Sequence, residues 1–184
     1  MDKEQRCAGG LNPCMTRRRL LQGTGTVAAT TVFLSIPGRK GKAIAAQMAS
    51  YPRKKIGQLS SLRVKQPLIF NYPDNGASSM SMLVKLGEQA GGGIGPKQDV
   101  VAFTTLCAHM GGPLVGAYQK DHSALGPCPL HQSTFDLTRH GMVIAGHATE
   151  SLPQVLLELE GDDIYAVGMI GLIYGRHDNL HGEA

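Results

Sequence analysis

Two short stretches decide the fold of this chain: CAHMGGPL at residues 107–114 and CPLHQSTFD at residues 128–136. Each begins with a cysteine, has a histidine two or three positions later, and continues into glycine, proline or serine. Thiolate and imidazole are metal ligands, and the residues that follow them favour loops over helices. The two stretches therefore predict a metal centre that is held by two loops.

The ligand pattern C-x-H…C-x-x-H indicates a 2Fe–2S cluster in which two histidines replace two cysteines on one iron. Cys107 and Cys128 are expected on one iron, and His109 and His131 on the other. Neutral imidazoles remove two formal negative charges relative to four thiolates, which raises the reduction potential of the cluster. The sequence thus predicts one such cluster as the cofactor, with these four side chains as its ligands.

Two other interpretations use the same residues. A structural zinc site also takes two cysteines and two histidines, but zinc-finger spacing pairs like with like, whereas each pair here is mixed. Alternatively, Cys107 and Cys128 are loop cysteines that bond to each other beside incidental histidines. The remaining histidines have no such pairing and are expected to be ordinary surface or hydrogen-bonded residues: His122, His140, His147, His177 and His181.

The chain beyond residue 66 predicts an all-β fold. Short apolar runs alternate with turn residues, and helix-favouring runs at helical spacing are scarce. Residues 155–168 alternate around a Gly161-Asp162 turn, which predicts a hairpin with one buried face. We expect an antiparallel β-sandwich or barrel over residues 67–184, with a small cluster-binding subdomain of two loops at about 105–150.

Charge is distributed unevenly along the chain. Residues 1–45 hold eight basic and two acidic residues, a net charge of +6, whereas residues 46–184 have a net charge of −2. The basic isoelectric point thus comes from one terminal segment, and no basic stripe with interleaved aromatics follows it. This argues against nucleic-acid binding. Residues 46–66 are polar and basic and are expected to form a connecting arm.

The terminal segment has the features of a twin-arginine export signal. Arg17 and Arg18 are followed by a weakly apolar stretch at 23–36, a basic segment and the small-x-small site Ala43-Ile44-Ala45. This order predicts a signal peptide over residues 1–45, export of the folded protein to the periplasm, and a mature chain without a membrane span. A retained N-terminal anchor is the competing interpretation, although the apolar stretch is about as short as a spanning helix can be.

Together with their flanks, the two cysteine–histidine stretches resemble the Rieske small subunit of bacterial arsenite oxidase. The stretches themselves resemble Rieske proteins in general, and the flanking segments narrow the resemblance. These segments are YPRKKIG at 51–57, FNYPD at 70–74, LVKLG at 83–87, GGIGP at 92–96 and GLIYGR at 171–176. The similarity runs from about residue 50 to residue 180.

That resemblance implies an electron-transfer function. The chain would be the non-catalytic subunit of a heterodimeric oxidoreductase, beside a large molybdopterin subunit that oxidises arsenite to arsenate. Electrons would pass from that subunit through the Rieske cluster to a periplasmic acceptor such as a cytochrome c or a copper protein. The alternatives are the Rieske subunit of a respiratory cytochrome bc complex, which needs a permanent anchor, and the Rieske ferredoxin of an oxygenase, which is cytoplasmic.

The same resemblance draws attention to departures around the cluster. Many Rieske proteins join the two loops by a disulfide at the positions that Gly112 and Leu130 occupy here. In respiratory Rieske proteins a serine and a tyrosine after the second histidine donate hydrogen bonds to sulfur atoms of the centre. Ser133 keeps the first donor, whereas Phe135 has no hydroxyl, so we expect a potential below that of the respiratory proteins.

Overall fold

A computed structural model describes residues 50–180, and β-strands dominate it. The strands are β1 (Lys54–Gln58), β2 (Leu68–Asn71), β3 (Met80–Lys85), β4 (Val100–Thr104), β5 (Tyr118–Gln119), β6 (Ala124–Leu125), β7 (Thr134–Asp136), β8 (Met142–Ala145), β9 (Gln154–Glu160) and β10 (Asp163–Ile170). The helical elements of this part of the chain are two single 3-10 turns, at Leu59–Ser61 and Ala77–Ser79. The predicted all-β fold is confirmed.

No helix within residues 50–180 is long and apolar enough to cross a membrane. The predicted signal peptide at 1–45 and the first residues of the predicted arm lie outside the described residues.

The strands form two antiparallel sheets. The larger sheet has the order β1-β10-β9-β4-β3-β2, and the smaller sheet, which supports the cluster loops, has the order β5-β6-β7-β8. The predicted hairpin is β9–β10, with Leu159 opposite Ile164 and Leu157 opposite Ala166. Alternation at period two is enough to place these residues because one face of the hairpin is buried and the other is solvated.

Strand β4 is buried along its whole length and separates two apolar cores. Val100 and Ala102 face the core that is shared with β9 and β10, whereas Val101 and Phe103 face the core that contains both cysteines. A strand that is covered on both faces has no polar side, which explains its uninterrupted apolar sequence. This shared strand joins the cluster-binding sheet to the larger one.

Part of the predicted arm belongs to the sheet. Residues 54–58 form the edge strand β1, which pairs with β10 through Lys54–Ala166 and Gln58–Asp163. The polar composition that indicated a connecting arm reflects an exposed edge, where Lys55 pairs with Asp163 at 2.6 Å. Charged side chains are common on edge strands because they discourage pairing with other chains.

A buried arginine holds the segment that follows β10. The Arg176 guanidinium donates to both carboxylate oxygens of Asp74, at 2.7 and 3.0 Å, and its Nε donates to Ser78 at 2.9 Å. Asn179 accepts the N–H of Ile173 at 2.8 Å within the same segment. The chain from 171 to 180 is thereby fixed against the sheet.

Candidate metal centre

The two predicted loops have the same backbone geometry, and we refer to residues 107–112 as cluster loop 1 and to residues 128–133 as cluster loop 2. In loop 1 the N–H of Cys107 donates to Gly112 O at 2.9 Å, and the N–H of Gly111 donates to Cys107 O at 2.8 Å. In loop 2 Cys128 and Gln132 make the equivalent bonds, at 2.8 and 2.9 Å. Both loops turn through a left-handed residue, with φ of 65° at Gly111 and 61° at Gln132.

The thiols of Cys107 and Cys128 lie side by side at the base of the loops. Both cysteines are buried, with exposed fractions of 1% and 2%, and neither forms a disulfide. Burial first, and then the adjacent Cys128 side chain, raise the pKa of the Cys107 thiol. The backbone N–H groups of His109 and Met110 oppose that rise in pKa by hydrogen bonding to the Cys107 sulfur. Such donors stabilise a thiolate, the form in which cysteine binds metal.

The imidazoles of His109 and His131 lie together at the outer end of the loops. Their ring centroids are 4.8 Å apart, with the ring planes nearly perpendicular. His109 is half-buried and His131 is exposed, in contrast to the two buried thiols. The loops therefore place sulfur with sulfur inside the protein and imidazole with imidazole at its surface.

This arrangement fits two irons better than one ion. No group of three or more His, Cys, Asp or Glu side chains within residues 50–180 converges on one ion position. A tetrahedral zinc site needs all four ligands around a single ion. A 2Fe–2S cluster instead needs two separate pairs, which is what the paired thiols and paired imidazoles provide.

The cluster loops contact each other at the positions of the absent disulfide. A Cβ atom built on Gly112 would lie 2.6 Å from Cys128 Sγ and 3.1 Å from Leu130 Cγ. Leu130 thus covers Gly112, and the absence of a side chain at 112 leaves room for the Cys128 sulfur. Apolar contact takes the place of a covalent bridge here.

Ser133 and Phe135 are both fully buried beside the centre. The Ser133 Oγ accepts the N–H groups of His147 and Ala148, at 3.2 and 3.1 Å. Its own hydroxyl hydrogen is therefore free to donate, since the two acceptor positions are used by N–H groups. Phe135 packs in the core that contains both cysteines.

Two further side chains reach the centre that sequence reasoning did not assign to it. His147 is exposed and hydrogen-bonded, as expected, but its ring centroid lies 6.0 Å from those of both His109 and His131, beside the proposed ligands. Tyr174 packs on loop 1, because a Cβ on Gly111 would lie 2.4 Å from its ring. Neither residue belongs to a ligand motif, and only the fold brings them to the loops.

Two buried sulfurs and two surface imidazoles on paired loops define a Rieske-type 2Fe–2S protein, and residues 79–156 match the family model described as a Rieske [2Fe-2S] domain. The chain is 57% identical to iodate reductase subunit IdrB of Denitromonas iodatirespirans over 175 residues, or 95% of this chain and 92% of that one. It is 55% identical to iodate reductase subunit IdrB of Pseudomonas sp. (strain SCT) over 166 residues, or 90% and 85%. The chain therefore belongs to the Rieske protein family of these subunits, and it binds a single 2Fe–2S cluster.

A solved structure supports the fold. The soluble domain of Rieske protein II (soxF) from Sulfolobus acidocaldarius superposes with a TM-score of 0.61 at 24% identity, over 71% of this chain and 84% of that one. The predicted Rieske class and the role of electron-transfer subunit of an oxidoreductase are confirmed. The two relatives above are named as iodate reductase subunits, not as arsenite oxidase subunits.

Proposed function

We propose that this chain is the Rieske subunit of an iodate reductase, which passes electrons to a large molybdopterin subunit. The identity of 57% over nearly the whole chain to a subunit of such an enzyme is the observation that carries the proposal. The resemblance to the arsenite oxidase small subunit supports a molybdopterin partner, because it likewise implies a large molybdopterin subunit beside the Rieske chain. A cytochrome bc subunit is less well supported, since 45% identity to the subunit from Streptomyces lividans extends over only 58 residues.

The proposed ligands are Cys107 and Cys128 on one iron and His109 and His131 on the other. When bound, the cluster supplies a reversible one-electron couple. The thiols hold the inner end of the centre in a dry core, and the half-buried and exposed imidazoles bring its outer end to the protein surface. Electrons are therefore expected to enter and leave on the histidine side.

The surface around the histidines suits a stable subunit contact. Four apolar side chains are between 40% and 54% exposed there: Met110, Leu130, Leu172 and Tyr174. They lie in three segments that contain no Asp, Glu, Lys or Arg, namely 100–119, 122–135 and 164–175. We call these four side chains the apolar face. Exposed apolar patches of this kind mark interaction sites and favour an apolar partner surface, although Glu150 lies beside Leu172 and Tyr174.

The direction of electron flow separates the two substrates. With iodate, the Rieske chain would donate electrons to the catalytic subunit after receiving them from a periplasmic cytochrome c or copper protein. With arsenite, the flow would be reversed, because arsenite oxidation to arsenate releases electrons. The same centre serves either direction, so the substrate must be decided by the complex.

The test uses the complex that co-purifies with the tagged chain. Iodate added to the reduced complex, after removal of dithionite, should reoxidise the Rieske centre. The loss of its reduced-state electron paramagnetic resonance (EPR) signal measures this reoxidation. Arsenite added to the oxidised complex should leave the centre oxidised. The reverse pattern would identify an arsenite oxidase, and a chain that co-purifies without any molybdenum subunit would contradict both.

Two matched variants examine the contact surface. Leu172→Glu places a charge in the apolar face and should release the large subunit while the EPR signal persists. Val64→Glu, at a similarly exposed position (51% against 53%) beside Lys85 at the end of β3, should leave the complex intact. Because the apolar face carries no charge, release should depend little on ionic strength.

We also propose that the protein is exported to the periplasm by the twin-arginine route. The ordered signal features at 1–45 support this, together with a cofactor that is inserted before export. Replacing both Arg17 and Arg18 with Lys should retain cluster-loaded protein in the cytoplasm. A periplasmic fraction with unchanged Rieske signal in that variant would contradict the proposal.

A further inference from the structure

The ring of His147 is attached to the backbone of a proposed ligand. Its Nδ1 lies 3.1 Å from the carbonyl oxygen of His131. A carbonyl oxygen can only accept, so Nδ1 carries the hydrogen in this bond. The bond joins the segment after β8 to cluster loop 2, next to the residue that is expected to bind iron.

The peptide group that receives this bond belongs to a strained turn. It links His131 to Gln132, which has a left-handed φ of 61° although it is not glycine. A left-handed residue with a side chain costs about 1–2 kcal/mol, so the turn needs support from its surroundings. The N–H of this peptide donates to Cys128 O at 2.9 Å, and its carbonyl accepts from His147. Both polar groups of the strained peptide are thus held, one by a cysteine of the loop and one by His147.

The backbone around His147 is built for this close approach. A Cβ atom at Gly146 would lie 2.3 Å from Ser133 Cα, so only glycine permits the contact. The next two N–H groups, of His147 and Ala148, then donate to Ser133 Oγ. The segment 146–148 therefore lies directly against cluster loop 2, and the side chain of His147 extends that contact to the ligand peptide.

We propose that His147 is a positioning residue that fixes the orientation of His131, an inference that rests on His131 being a cluster ligand. Without the bond, the His131–Gln132 peptide keeps only the hydrogen bond to Cys128 and can rotate. Rotation of that peptide tilts the imidazole that it carries. The geometry of the outer iron site then depends on a side chain 16 residues away.

Three variants of the full, cluster-loaded chain test the proposal. His147→Ala removes the donor, whereas His147→Asn keeps an N–H donor at the reach of Nδ1. His140→Ala is the control, because His140 also uses Nδ1 in a hydrogen bond, 2.7 Å to Gln154, but outside the cluster loops. The measurements are the g values of the reduced centre, its midpoint potential, and amide hydrogen exchange at Gln132.

In His147→Ala the Gln132 amide should exchange about fivefold faster, the factor that corresponds to one ordinary hydrogen bond. The g values and the midpoint potential should shift with it. His147→Asn should restore all three, and His140→Ala should change none. If His147→Ala does not load the cluster, the cluster-loaded His147→Asn protein is measured instead. Wild-type g values in that variant would support the proposal that residue 147 positions His131, and shifted g values would contradict it.

The proposal is wrong if His147→Ala matches the wild type in all three measurements, or if His147→Asn behaves like His147→Ala. Replacing His131 with Ser tests the underlying assignment separately. If that variant keeps an intact Rieske signal, the ligand assignment itself has failed, whatever the His147 variants show.

Discussion

Leu130 lies over Gly112 where the two cluster loops meet, with its Cγ 3.1 Å from the position that a Cβ on Gly112 would take. In a disulfide, each sulfur lies at about this distance from the Cβ of the other cysteine, given Cβ–Cβ separations of about 3.8 Å. The loops are therefore close enough for a bridge, although the chain has none at this point.

We expect the double variant Gly112→Cys with Leu130→Cys to form that bridge. Cys128 Sγ, 2.6 Å from the new Cβ, must move slightly to accommodate it. Closing a loop of this length stabilises a protein by up to about 3 kcal/mol, less any strain. Thermal unfolding of the cluster-loaded variant should occur at higher temperature, and dithiothreitol should abolish the gain. Two more titratable thiols in the oxidised variant than in the wild type would show that the loops do not approach as described.

The ligand assignment predicts different results for different histidines. His109→Ser and His131→Ser should each abolish the reduced-state Rieske EPR signal, because each removes one of the paired imidazoles. His122→Ala should leave the signal unchanged, since that exposed residue lies outside both cluster loops. A normal signal from either ligand variant would exclude that residue as a ligand.

Hydrogen bonding to the sulfurs is expected to tune the potential. Ser133→Ala removes a hydroxyl whose hydrogen is free to donate and should lower the midpoint potential. Phe135→Tyr adds a hydroxyl within the core that contains both cysteines and should raise it. A charge-assisted hydrogen bond is worth about 1.5–3 kcal/mol, and its redox-dependent part corresponds to some tens of millivolts. Redox titration measures both shifts. Unchanged midpoint potentials in both variants would show that solvent exposure or the partner subunit sets the potential, not these hydrogen bonds.

Acid stability should depend on Asp74. The Arg176 guanidinium first, and then Ser79, hold the pKa of this carboxyl well below its usual range. A depressed folded-state pKa adds stability that is present above the unfolded-state pKa of about 3.9 and is lost as the pH falls below it. Asp74→Asn should therefore reduce the free energy of unfolding at pH 7 and narrow its difference from the wild type below about pH 4.

The expected loss at pH 7 is about 1–3 kcal/mol. Arg176 is almost fully buried, and hydrogen bonds between such a charged group and a carboxylate are worth about 1.5–3 kcal/mol. That figure is reduced here because the Asp74 side chain is 35% exposed and partly screened. Asp163→Asn is the matched control, since its partner Lys55 is exposed and the pair should contribute little. Equal denaturation midpoints for the two variants would contradict the assigned role of Asp74.

Local sequence patterns predict the structure of segments whose partners are close along the chain. The β9–β10 hairpin follows from alternation around one turn, because one face of that hairpin is buried. In the same way, the mixed Cys–His pairs indicate their cofactor through the chemistry of the side chains alone. The edge strand β1 was missed because its partner β10 lies more than 100 residues away and its own composition is polar.

The sequence by itself determined the class of the protein, since Cys107, His109, Cys128 and His131 stand at a spacing that few metal centres share. Only the tertiary structure decided what supports those residues. His147 meets cluster loop 2 across 16 residues, and Arg176 meets Asp74 across 102. Neither contact follows from periodicity. His147 reaches the loop because β7 pairs with β8, and Arg176 reaches Asp74 because the segment after β10 packs against the turn that follows β2.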